Sequence, residues 1–133
     1  MNTIRKINLK TAAWTNIVTI IIVVVLHLLV VLQVIPYDWI NGGRSSSLQA
    51  QQQISIISII VLAIMAFINF CAYKLLPRSK VLYVARTIIL WVLFAYSIVG
   101  ATMQLFGTVF EKICMSVLCI INIVMYFRMA IEK

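Results

Sequence analysis

Carboxylates are scarce in this chain. Asp38, Glu111 and Glu132 are the only acidic side chains among 133 residues, histidine occurs once, at His27, and proline twice, at Pro36 and Pro77. Each scarcity removes a class of chemistry. The apolar segments hold no paired carboxylates, and the chain has no His-Glu-x-x-His, no Cys-x-x-Cys and no serine at a recognisable spacing from the histidine. Motifs of that kind are what acid–base, metallohydrolase and thiol-redox centres are built from. A lone His27 makes no metal site without unusual partners. Cys71, Cys114 and Cys119 read as small packing side chains. The expectation is a protein that is not an enzyme, with no catalytic residue, no metal and no cofactor.

What the chain has instead is hydrocarbon. It is 64% hydrophobic with a mean hydropathy of +1.10, where soluble domains hold about 45–50% apolar residues. Four long apolar stretches, roughly 12–34, 54–73, 81–103 and 113–127, follow one another. Each approaches the ~20 residues a helix needs to cross the hydrocarbon core. The reading is one all-α domain over residues 1–133, a polytopic membrane protein with helices over about 12–34, 48–74, 81–104 and 110–130 and an outer loop over 35–47. The connections are too short for a second domain.

The net charge of +8 does not point to nucleic acid, because the cations flank spans instead of forming a patch. Arg5, Lys6, Lys10, Lys74, Arg78, Lys80, Arg86, Arg128 and Lys133 fall on one side, and Arg44 and Lys112 on the other. Lys/Arg-rich short loops stay cytoplasmic. This predicts a four-helix antiparallel bundle in a cell inner or plasma membrane with both termini inside. The first span is too long for a signal-peptide core and lacks a small-residue cleavage site, so it is expected to be retained. Pro36 is expected to stop helix one near Val34, and Pro77 to stop helix two. Tyr37 and Trp39 suit an interfacial anchor, and the serines after Arg44 offer an N-cap to helix two.

Polar residues inside the spans recur eleven apart: Asn16 and His27, Ser58 and Asn69, Arg86 and Ser97, Glu111 and Asn122. At 100° per residue that spacing returns to within about 20° of the same face. Each helix can therefore turn a polar stripe to its neighbours. Asn16, Asn69, Arg86 and Asn122 lie at similar depth near the cytoplasmic ends, an interior polar layer that serves either as packing glue or as a site. Arg86 has the further option of snorkelling to headgroups. His27 lies about 10 Å from the outer end of its span at 1.5 Å per residue. It is expected to neighbour Ser58, Ser97, Gln104 and Glu111, as a proton switch or as a neutral packing histidine. In the outer loop, Asn41, Gly42, Gly43 and Arg44 combine a tight turn with an arginine fork suited to an anion. The alternative is a plain turn with Arg44 snorkelling to headgroups or paired to Asp38. The candidate ligand residues are thus His27, Asn41, Gly42, Gly43, Arg44, Gln104 and Glu111.

The run His27-Leu28-Leu29, Ile35-Pro36-Tyr37 and Gly42-Gly43-Arg44, with Phe127-Arg128-Met129-Ala130 closing the last helix, resembles a group of small bacterial four-span membrane proteins without an assigned activity. Ser97 and Ala101 stand where that group carries asparagines. The resemblance implies a bacterial source and adds no chemistry. The functional expectation is a non-catalytic accessory, sensor or binding component. The alternative is a small oligomeric transporter or channel with His27 in a polar interior. Its expected partners are membrane lipids and a membrane-protein partner or a second copy, not nucleic acid.

Overall fold

The computed structural model describes residues 2–74 and 79–132. Pro77, Arg78 and Lys133, and with them the expected stop of helix two and most of the basic turn, lie outside the described residues. After a helical turn at Asn2–Arg5, four long helices follow: α1 (Leu9–Val31), α2 (Leu48–Lys74), α3 (Lys80–Leu105) and α4 (Glu111–Ala130). No strand occurs among the described residues. All four helices are long and apolar enough to cross a membrane.

Local chemistry starts each helix. The Asn8 side chain accepts from Lys10 N at 2.9 Å, Ser47 Oγ from Ala50 N at 3.2 Å and Ser79 Oγ from Leu82 N at 3.3 Å. Each satisfies an N–H that the first turn leaves without an intrahelical partner. The end of α1 corrects the sequence expectation. Helix one stops at Val31, ahead of the expected Val34, and Pro36 is not what ends it. Gln33 takes a left-handed φ of 59°, its N–H bonds Val30 O at 3.0 Å, and Val34 N bonds Leu29 O at 2.8 Å. This is a Schellman closure with glutamine in the position glycine usually fills, and Gln52 Nε2 adds a bond to Val31 O at 2.9 Å.

Packing is unequal around the bundle. Helix α1 packs on α2 and on α4, and α3 packs on α4, while α2 and α3 barely touch. The shared core runs through Ala12, Ala13, Ile20, Met65, Leu90, Leu93, Tyr126 and Met129. Outside, the polarity is the reverse of a protein dissolved in water. Phe67, Val81, Val92, Val99 and Ile113 are each at least 60% exposed, whereas Asn16, Gln51, Ser55 and Asn69 are fully buried. In water, charged and amide side chains sit at the surface and such apolar belts are covered. Lipid is the medium in which this distribution is favourable, and the four helices are compatible with an integral membrane protein.

Candidate functional site

The loop between α1 and α2 folds onto the connection between α3 and α4. Pro36 begins a turn over Tyr37–Trp39, and Asn41, Gly42 and Gly43 take consecutive left-handed φ values of 59°, 70° and 63°. Residues with a Cβ pay about 1–2 kcal/mol there, so Asn and Gly are the types that suit the turn. The turn aims Gly42 N at Glu111 Oε2, 2.9 Å away.

Glu111 is engaged further. Its Oε2 accepts from Thr108 N at 2.8 Å, while Thr108 Oγ1 accepts from Glu111 N at 3.3 Å. That reciprocal pair is a capping box at the start of α4. The Thr108 hydroxyl also donates to Trp39 O, and the Trp39 and Phe110 rings lie 5.5 Å apart. Residues Glu111–Met115 then form one π-turn before regular α-helix resumes at Ser116. The Thr-x-x-Glu signature is readable in the sequence, where Glu111 stands out as a stripe residue and a ligand candidate and not as a cap.

Beneath this loop lies a cavity of about 510 Å³, inside the roughly 300–1,000 Å³ range of small-molecule sites. His27, Asn41, Gly42, Arg44, Gln104 and Glu111 gather around its loop end. Its walls are Ile54, Ile57, Val61, Leu62 and Met65 of α2 facing Tyr96, Gly100 and Met103 of α3, with Ser58 and Ser97 between them. Helices α2 and α3 barely touch, so this part of the cavity lies between two helices that do not close on each other. Along α2 it extends from residue 54 to 65, about 16 Å at 1.5 Å per residue.

Family models, curated proteins and solved structures yield no match to this chain.

Of the expected ligand residues, six line this cavity and Gly43 does not. Gly43 instead holds the turn, where a Cβ would press on Asp38 O at 3.1 Å. Arg44 makes no ion pair with Asp38; among the described residues the one ion pair is Arg128 with Glu132, at 2.6 Å. The Arg44 side chain folds back over Gly42, where an added Cβ would lie 3.1 Å from its Nε. Gln104 Oε1 is buried without a hydrogen-bond partner.

His27 bonds Ser55, not one of the four neighbours expected of it; those four line the same cavity. The bond begins a polar chain that the sequence reading missed. Asn41 Nδ2 donates to Ser45 Oγ at 3.5 Å, Ser45 Oγ donates to Gln51 Oε1, Gln51 Nε2 donates to Ser55 Oγ at 3.1 Å, and Ser55 Oγ lies 3.2 Å from His27 Nδ1. The Ser55 hydroxyl accepts from Gln51 Nε2 and keeps both its proton and a second lone pair for Nδ1, so the bond fits either imidazole tautomer. The i, i+4 spacing of Gln51 and Ser55 was the available signal, obscured by the run of glutamines around it.

The four residues of the expected polar layer do not bond one another among the described residues. Asn16 Nδ2 donates to Met129 Sδ at 3.8 Å, Asn69 Nδ2 to Ala13 O at 2.9 Å, and the Thr19 hydroxyl to Asn122 Oδ1. Each ties one helix to the next, as polar side chains in membrane interiors do. Arg86 does not snorkel. It is 8% exposed, and its Nε and Nη2 donate to Ala72 O at 2.8 Å and Met129 O at 3.5 Å. Both carbonyls belong to last turns of helices, where intrahelical donors run out and a cation is favoured. No three His, Cys, Asp or Glu side chains gather among the described residues.

Proposed function

We propose that this is a non-catalytic binding protein of a bacterial cell membrane, an antiparallel bundle with both termini cytoplasmic, that takes an amphipathic ligand into the outer cavity. The observation that carries the reading is the cavity's polarity gradient. An arginine, a histidine, an unpartnered amide oxygen and a glycine-rich turn ring one end, and an apolar wall from α2 and α3 runs away from them. Such a site suits a chain with a polar, anion-bearing head better than a wholly polar solute, since its length is apolar.

Bundle direction is supported by the contacts of Ala13 with Asn69 and of Val31 with Gln52, which pair the start of α1 with the end of α2 and the reverse. The cation distribution supports the orientation. Binding is favoured over conduction because Asn16, Asn69, Leu90 and Tyr126, all fully buried, fill the bundle below the cavity and line no opening.

The test is binding of a dansyl-tailed dodecyl phosphate to the full chain in phosphatidylcholine nanodiscs. Dansyl emission is expected to rise saturably and to be displaced by unlabelled dodecyl phosphate. Ser58→Phe, which fills the cavity, is expected to abolish the rise, and Arg44→Gln to weaken it about tenfold, or about 1.4 kcal/mol. Unchanged binding to Ser58→Phe would defeat the proposal.

A further inference from the structure

A second cavity, of about 300 Å³, lies at the opposite end of the bundle and has a different chemistry. Lys10 from the first turn of α1, Lys74 from the last residue of α2 and Arg86 from α3 converge on it, with Asn8, Tyr73 and Met129 completing its wall. No carboxylate lines it. Glu132, the acid of that end, pairs with Arg128 at 2.6 Å and offsets part of the Arg86 charge from a distance without lining the pocket.

Three cations so placed repel one another unless an anion joins them. The C-terminal carbonyls of α2 and α4, at about half a negative charge per helix, offset only part of that repulsion, and they engage Arg86 through Nε and Nη2. Arg86 Nη1 has no acceptor among the described residues, and Lys74 Nζ has only the Phe70 ring, 5.9 Å away. Lys10 and Lys74 are exposed, so their ammonium groups can close over a guest. The N-terminal turn of α1, capped by Asn8, adds positive dipole.

The geometry points to this pocket as a binding site for the phosphate of an anionic membrane lipid. The phosphate sits between Lys10, Lys74 and Arg86, and the acyl chains lie along the exposed apolar faces beside Tyr73. A lipid is favoured over a free anion because the pocket sits at the ends of the spans, at headgroup depth, where basic pockets between helices collect anionic headgroups. The site does not depend on the outer cavity and stands or falls separately from it.

The test uses the full chain in phosphatidylcholine nanodiscs, titrated with dioleoyl phosphatidic acid and, in a second arm, with inorganic phosphate, reading retained lipid by native mass spectrometry. One phosphatidic acid is expected to be retained per chain. Its affinity should fall at least tenfold in Lys10→Gln/Lys74→Gln and stay unchanged in Lys112→Gln, which removes an exposed cation at the other end. Both lysines are exposed, and an unchanged circular-dichroism melting midpoint of the double variant reports that it is folded. Equal retention by the double variant overturns the site, as does an equal loss in Lys112→Gln, which marks general charge attraction. Inorganic phosphate competing at the same concentration as the lipid overturns the lipid assignment.

Discussion

Glu111 illustrates how an apolar bundle uses a rare carboxylate. Of three acids in the chain it is the one buried inside the bundle, at 3% exposure, and it joins two backbone N–H groups from segments more than sixty residues apart. Hydrogen bonds to a charged acceptor are worth about 1.5–3 kcal/mol each, and more is lost if donors are left unpaired in a dry site. The carboxylate has room only because residue 107 is glycine: a Cβ there would lie 2.1 Å from Glu111 Oε2. Gly107→Ala must therefore push the carboxylate off Gly42 and Thr108. Thermal unfolding in detergent, followed by circular dichroism, is expected to show a loss of about 1.5–3 kcal/mol. Gly100→Ala, whose Cβ would meet Cys119 Sγ at an ordinary 3.7 Å, is expected to be neutral or slightly stabilising, since alanine favours helix. Equal midpoints for the two variants would show that Glu111 does not hold the loop.

At the level of elements, Arg86 does for helix ends what Glu111 does for the loop. One side chain from the first two turns of α3 reaches the last-turn carbonyls of both α2 and α4. A guanidinium can donate from several nitrogens in a fixed plane, whereas an ammonium acts as a single point. Arg86→Lys is accordingly expected to lose part of the stability and Arg86→Met most of it, about 2–4 kcal/mol given that one of the two bonds is long. Denaturation in mixed micelles gives the order; a snorkelling arginine would instead be replaced by lysine at no cost. Such contacts also mark the limit of what was legible in the sequence. The number of helices and their rough extents were readable because length and apolar runs are local properties, although helix one runs over Leu9–Val31 and not 12–34, and the eleven-residue spacing placed the asparagines in stripes. Which helices meet was not, because every stripe can face any neighbour. His27 was thus expected beside Ser58, Ser97, Gln104 and Glu111, whereas its hydrogen bond goes to Ser55. The Gly107–Glu111–Gly42 arrangement depends on a loop returning across the bundle, which no local pattern encodes.

For the whole molecule, the separation of α2 from α3 decides what the chain can do. It opens a hydrocarbon-walled cavity at the loop end, while the buried middle keeps that cavity apart from the basic pocket at the terminal end. Each cavity matches a different region of a bilayer. The 27 residues of α2 rise about 40 Å, more than the roughly 30 Å hydrocarbon core, so in a helix that crosses a bilayer the first turns would reach the interfacial zone with the loop. The contact of Gly42 with Glu111 puts residue 44 and residue 112 at the same end, and the pairing of Ala13 with Asn69 puts Lys74 and Lys80 at the other. If the bundle crosses a membrane in this way, single cysteines at positions 44 and 112 must react with an impermeant maleimide from one face of sealed vesicles and a cysteine at position 80 from the opposite face. Cys71, Cys114 and Cys119 are replaced by serine or alanine beforehand. Labelling in right-side-out and inverted vesicles reads the orientation directly: cytoplasmic termini require positions 44 and 112 to react in right-side-out vesicles and position 80 only in inverted ones. Reaction of all three from one face would mean that the helices do not span, and both proposed sites would then lose the lipid environment on which they rest.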